Sequence, residues 1–263
     1  MNAPANEPEL LCRIEDGIAI LTLNRPAVRN ALSFSLMDSL LEAIERLGKD
    51  PAARVFVIAG NGPAFCAGHD LRELRAMPGD DRCERLFDRC VALMLAITHC
   101  PKPVIAQVHG VATAAGCQLV LTCDLAVADS GARFATPGVD IGLFCSTPMV
   151  ALTRSVSRKP AMEMLLTGDM VDAEEAQRIG LINRVVAPEA LEAEVTKLAR
   201  HIAGKSPRIL AMGKEAFYRQ TELGLEEAYR HAASVMVRNM MEADAAEGID
   251  AFLEKRKPEW QGS

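Results

Sequence analysis

Residues 64–71 (Ala-Phe-Cys-Ala-Gly-His-Asp-Leu) and 110–118 (Gly-Val-Ala-Thr-Ala-Ala-Gly-Cys-Gln) pair small side chains with the punctuation of a turn. Each follows a β-branched apolar run, residues 54–59 in one case and 103–108 in the other. Each then opens a helix-like pattern. The first N–H groups of a helix lack intrahelical partners, and Gly or Ala lets another molecule come close to them. Two such turns brought together would aim backbone donors at one oxygen, forming an oxyanion hole without a charged side chain. That is chemistry on a polarised carbonyl; the pattern leaves the reaction itself open.

Other chemistries find less support. The eight cysteines, at 12, 66, 83, 90, 100, 117, 123 and 145, are scattered among apolar residues without a CxxC pair, as expected of reduced, buried thiols in a cytoplasmic protein. Five histidines without metal-ligand spacing give no metal site. A net charge of −6 argues against nucleic acid as a partner, although a local basic patch could hold a small polyanion. No apolar run is long enough to span a bilayer, and residues 1–9 lack the features of a signal peptide.

The elements that must position the two turns read in order along 263 residues. Residues 17–23 form a strand broken by Asn24-Arg-Pro26, and Ser33 caps a helix carried by Met37, Leu40, Leu41, Ile44 and Leu47. A strand at 54–59, a helix over 81–99, a strand at 103–108, a helix over 114–121 and a strand at 124–129 follow. This alternation gives an α/β core. Beyond residue 147 the pattern is helical: Pro160 starts one helix, Asp172 caps another, and 183–186 is a brief strand. Helices over 188–204, 207–222, 224–241 and 243–254 complete the chain, packing on its own core or on a neighbouring subunit.

An ordered series of motifs resembles the crotonase superfamily, also called the enoyl-CoA hydratase/isomerase family. It comprises Leu23-Asn-Arg-Pro26, Asn30-Ala-Leu-Ser33, Phe65-Cys-Ala-Gly-His-Asp-Leu71, Pro103-Val-Ile-Ala106, Ala114-Ala-Gly-Cys117, Cys123-Asp124, Glu163-Met-Leu-Leu-Thr-Gly168, Glu247-Gly248 and residues 251–257. The resemblance implies a spiral of ββα units over residues 1–200, with the acyl-CoA site, and a C-terminal helical oligomerisation region over 201–263. It further implies a homotrimer or a dimer of trimers, and coenzyme A thioesters as substrate or ligand, as in fatty acid metabolism, with no separate cofactor. By motif position, the oxyanion donors would be the N–H groups of His69 and Ala115. The coenzyme A moiety would lie near Val28, Arg29, Ala67, Gly68, Asp70, Leu71 and Arg72, with Phe252 and Lys255 reaching it from a neighbouring subunit.

The chain departs from that family at two places. Its hydratases resemble one another in two glutamates that handle water and the α-proton; the matching positions here are Gln118 and Gly138. General acid–base catalysis contributes about 10²–10⁴-fold, and an amide takes no proton at neutral pH. Standard hydration is therefore not expected. Gly138 is expected to leave room for a carboxylate, so that placing Glu at 118 and 138 yields a modest gain of hydration. Asp140, two residues beyond, would reach the same face if the chain is extended there. His69 could titrate beside the oxyanion donors, though packing or a coenzyme A contact is the plainer role. Cys145, Ser146 and Thr147 would line the acyl end without an adjacent base. Cys117 reads as core, His99 and His109 as surface or capping groups, and Glu84 with Asp88 as a solvated helix face. Two classes stay open: an enzyme of enolate chemistry (isomerisation, decarboxylation or thioester hydrolysis), and a non-catalytic acyl-CoA-binding protein.

Overall fold

The computed structural model describes residues 7–76 and 80–262. It begins with a hairpin of β1 (Leu10–Glu15) and β2 (Ile18–Leu23), turned by Asp16 and Gly17 at φ 50° and 79°. Paired positive φ values match the twist of the flanking strands, and Asp-Gly is suited to them. Helix α1 (Phe34–Gly48) follows, its first turn capped by the Ser33 side chain, which accepts from the Leu36 amide. Next come β3 (Val55–Gly60), the short α2 (Leu71–Arg75), α3 (Asp80–His99), β4 (Val104–Val108), β5 (Val111–Thr113) and α4 (Ala115–Thr122). Strands β6 (Leu125–Asp129) and β7 (Arg133–Ala135) lead through a 3-10 turn at Pro137–Ile141 into α5 (Ser146–Ser155) and α6 (Arg158–Thr167). Then β8 (Val171–Asp172), α7 (Ala173–Arg178), β9 (Arg184–Val186) and α8 (Leu191–Ala203) precede α9 (Pro207–Gln220), α10 (Leu225–Met240) and α11 (Ala243–Leu253).

Two sheets carry the winding. The larger has the order β1-β2-β3-β4-β6-β9, and from β2 onward its neighbours run parallel. Its inner strands β2, β3, β4 and β6 are mostly buried on both faces, as parallel strands must be. One face packs Leu21, Phe56, Ile58 and Ala106 against α1 and α3; the other packs Val55, Val57, Ile105 and Val127 against Leu191, Val195 and Leu198 of α8. The smaller sheet is β5-β7-β8, extended by bridges pairing Cys66 with Ala112 and Leu32 with His69. A strand of the large sheet, a short strand or bridge in the small one and then a helix recur down the chain. This is the expected spiral of ββα units.

The C-terminal helices are anchored at α9. Lys214 pairs with Asp124 at 2.6 Å and donates to the Ile97 and Lys102 carbonyls, while the Tyr218 hydroxyl donates to Asp124 at 2.9 Å. Beyond that anchor, α10 and α11 expose Leu225, Tyr229, Val237, Met241, Phe252 and Leu253. One expectation needs correction, and one strand lies where none was expected. The α6 helix begins at Arg158, with Ser157 at its cap position, so Pro160 lies inside its first turn, where a missing N–H costs nothing. The β1 strand was not anticipated, because its side chains are exposed from Leu11 to Glu15 and it shows no apolar alternation.

Candidate functional site

The first turn is tied down by Asn30, a buried residue held at φ 54°. Its side-chain oxygen accepts from the Arg25 amide at 2.8 Å, and its nitrogen donates to the Asn61 and Ala64 carbonyls at 2.9 and 2.8 Å. The Ala67 amide donates to Arg29, the Gly68 carbonyl accepts from Leu32, and the Asp70 amide donates back to Leu32. In an extended segment successive N–H groups face opposite ways. With 68 and 70 turned toward Leu32, the His69 amide faces away from it.

The second turn is set by Ala114, whose own amide donates to Ala135 at 2.9 Å. Its φ of 50° with ψ −120° is strained for a residue carrying a Cβ, a cost of about 1–3 kcal/mol. That twist turns the next amide, Ala115, out of the small sheet at the start of α4. Among the described residues neither the His69 nor the Ala115 amide donates a hydrogen bond. The turns touch at Gly68, φ 93°, where a Cβ would lie 3.0 Å from the Ala114 Cβ and 3.4 Å from the Ala115 nitrogen. They touch again at Gly116, where a Cβ would overlap the Cys66 carbonyl oxygen and lie 2.8 Å from its carbon.

Gln118, one turn into α4, is 5 % exposed. Its side-chain oxygen meets the Cys90 thiol of α3 at 4.0 Å. Its Nε2 donates to no group among the described residues and is not among the buried atoms sealed off from open space. The thiols nearby are neutral: burial pushes Cys66, Cys90 and Cys117 up to about 12, and it raises Cys145 as well. The side chain of His69 packs edge-on against Phe87, with ring centres 5.6 Å apart. Burial pushes it down to about 4, and its Nε2 has no partner among the described residues. It is a neutral imidazole at pH 7.

At the other family-acid position the expected room is missing. A Cβ on Gly138 would lie 3.0 Å from both the Cys145 Sγ and the Leu143 carbonyl oxygen. The thiol and that carbonyl crowd the first carbon of any side chain placed there. Asp140 also departs from expectation, because residues 137–141 are a 3-10 turn and not extended chain. Its carboxylate is exposed and sits over Gly168 at the C-terminal end of α6. Ser146 is exposed, with its hydroxyl donating to Phe144, and Thr147 is half-buried. Cys117 is fully buried, His99, Glu84 and Asp88 are exposed, and His109 bonds the Gly62 carbonyl through Nε2 at 2.8 Å.

Around the first turn, Val28 and Ala67 are half-buried while Arg29, Leu71 and Arg72 are exposed. Asp70 is buried and engaged within the fold. It pairs with Arg25 at 3.0 Å and caps α2 through the Arg72 amide at 3.0 Å. Burial works to raise its carboxyl, but hydrogen bonds from Arg25 and from the amides of 72 and 73 hold it below the usual carboxylate range. Phe252 and Lys255 are exposed at the end of α11. Arg25 and Asn30, which fix this turn, were read in sequence only as a strand break and part of a motif. The legible signal is an Asn three residues ahead of Ser33, the cap of α1.

A family model described as enoyl-CoA hydratase/isomerase matches residues 13–263. A solved enoyl-CoA hydratase from Mycobacterium smegmatis is 54% identical, with a TM-score of 0.94 over 97% of this chain and 99% of that one. The structure of human enoyl coenzyme A hydratase domain-containing protein 3 is 45% identical, with a TM-score of 0.93 over 96% of this chain and all of that one. The mitochondrial enoyl-CoA hydratase domain-containing protein 3 of Rattus norvegicus is 47% identical over 258 residues, covering 98% of this chain and 86% of that protein. That mitochondrial name overturns the expected cytoplasmic location. Reduced thiols and the lack of a spanning segment do not distinguish the two compartments.

Proposed function

The chain belongs to the enoyl-CoA hydratase/isomerase family, and on that footing we propose that it holds an acyl-CoA with the thioester oxygen between the His69 and Ala115 amides. The supporting observation is two unengaged amides on turns in direct contact, with a Gly68 Cβ position 3.4 Å from the Ala115 nitrogen. Backbone donors fixed before reaction stabilise an enolate oxygen without reorganising, and losing one such donor costs about 10²–10³ in rate. The coenzyme A moiety runs along residues 28–29 and 67–72, where the exposed Arg29 and Arg72 suit its phosphates. Phe252, 82 % exposed, and Lys255 complete that end from a neighbouring copy in a trimer or paired trimers, which also covers the apolar faces of α10 and α11.

Hydration by two carboxylates is not the reaction. Gln118 cannot take a proton at neutral pH, Gly138 has no side chain, and Cys145 crowds its Cβ position. The test is a binding and turnover panel on the purified protein. Acetyl-CoA is expected to bind and crotonyl-CoA to be hydrated at least about 10²-fold below a two-glutamate relative. Crotonyl-CoA hydration at the relative's rate would overturn the second half of this reading, and no acyl-CoA binding would overturn the first.

A further inference from the structure

We infer that the C-terminal tail is a rigid mount in which Glu247, Arg256 and Trp260 are positioning residues, holding Lys255 in a strained turn so that its ammonium meets a phosphate of the acyl-CoA on a neighbouring copy. This rests on the acyl-CoA reading above. Helix α11 ends in a turn whose Arg256 amide donates to the Ala251 carbonyl at 3.0 Å and whose Lys255 amide donates to Phe252 at 3.3 Å. That pairing needs a left-handed residue at its corner, and glycine is the usual occupant because it has no Cβ. Here the corner is Lys255, at φ 57°. A side chain kept where it strains the backbone points to a use for that side chain. Lys255 finds none inside the fold: it is exposed, and among the described residues no carboxylate pairs with it, whereas its neighbour Arg256 holds two.

The rest of the tail holds that corner down. Both Glu247 oxygens accept from the Arg256 guanidinium, at 2.6 and 2.8 Å, and the Arg256 Nε donates to Glu254 at 2.6 Å. A bidentate pair fixes direction as well as distance. Glu247 also accepts from the Glu259 amide at 2.7 Å, which ties the outgoing chain to the same carboxylate. The Arg256 hydrogen bonds, and then that amide, hold Glu247 down at about 2, so the pair stays charged at pH 7. The Trp260 ring lies over Gly248 of α11, where a Cβ would come within 3.3 Å of it, and its indole N–H donates to the Gly204 carbonyl at 2.8 Å. Asp244, 2 % exposed, accepts from the Gln261 amide at 2.6 Å. The tail is thus bound to α11 and to the junction of α8 with α9, while Phe252 and Lys255 stay exposed. A long ammonium chain loses freedom when it binds, and a fixed backbone beneath it leaves less to lose. Lysine supplies the compact point charge that suits a phosphate.

The probes are acetyl-CoA and S-acetylpantetheine, which lacks the nucleotide and its phosphates. Arg256→Met is expected to weaken acetyl-CoA binding at least about fivefold while S-acetylpantetheine affinity stays within about twofold. Lys255→Gly is expected to split the two ligands in the same way and to raise the thermal unfolding midpoint, because glycine relieves the turn. A side chain with a purely structural role would not weaken binding while its loss stabilises the fold. Acetyl-CoA affinity unchanged in Lys255→Gly, or equal weakening of both ligands in either variant, overturns this inference and leaves the acyl-CoA reading standing. Wild-type protein that binds neither ligand overturns the reading beneath it. Should Arg256→Met not fold, Lys255→Gly decides the matter alone.

Discussion

Gly116 lies against the backbone of Cys66 so closely that a Cβ there would overlap the Cys66 carbonyl oxygen. Helix α4 and the first turn are thereby locked at backbone distance, and this lock sets the spacing between the His69 and Ala115 amides.

Gly116→Ala must push α4 away from the first turn. Overpacking of this kind costs about 1–3 kcal/mol, and a misplacement near 1 Å costs about 10²-fold in rate. Thermal unfolding and acyl-CoA turnover measure the two effects. Gly213→Ala, inside α9 with nothing within 4 Å of the added Cβ, is the control and is expected to gain about 0.5–1 kcal/mol.

Restoring the two family acids by Gln118→Glu with Gly138→Glu is expected to leave hydratase activity at the wild-type level, because the second side chain meets the Cys145 Sγ and the Leu143 carbonyl oxygen at its first carbon. This replaces the modest gain expected from sequence. Adding Cys145→Ala opens that space and is expected to raise crotonyl-CoA hydration at least about tenfold above the double variant. Equal activity of double and triple variants would show that Cys145 is no obstacle.

His69 links stability to pH. Its folded-state value near 4 lies below the ordinary 6.5, so the unfolded chain binds the proton first. Stability contributed by this site is complete above pH 6.5 and falls by up to about 3 kcal/mol as pH drops toward 4. Urea unfolding at pH 7 and pH 4.5 should show that loss in the wild-type protein and a smaller one in His69→Phe. Equal losses would contradict it.

Asp70→Ala removes the cap of α2 and leaves Arg25, whose side chain is 17% exposed, without one of its partners. The expected loss is at least about 1 kcal/mol from the cap alone. Weaker coenzyme A binding without that loss, measured by thermal unfolding and calorimetry, would mean that Asp70 meets the nucleotide directly.

The helices and parallel strands were legible because burial imposes periodicity: Leu36, Met37, Leu40 and Ile44 line one side of α1, and β3 is apolar throughout. The strand β1 was not, since its outward residues include Arg13 and Glu15. The two amide turns could be read from small residues following strands. What lies opposite Gly138 could not, because the Cys145 thiol comes from a residue seven positions on and arrives through the 3-10 turn. The same turn removed Asp140 from the face an extended chain would have given it. Gln118 was legible as a residue type, but its unpartnered nitrogen depends on how α3 places Cys90.

A crystal structure with an unreactive acyl-CoA analogue tests the oxyanion arrangement most directly. The thioester oxygen is expected within about 2.7–3.2 Å of both the His69 and the Ala115 nitrogens. An acyl-CoA bound with its carbonyl turned away from either amide would contradict the mechanism proposed for this site.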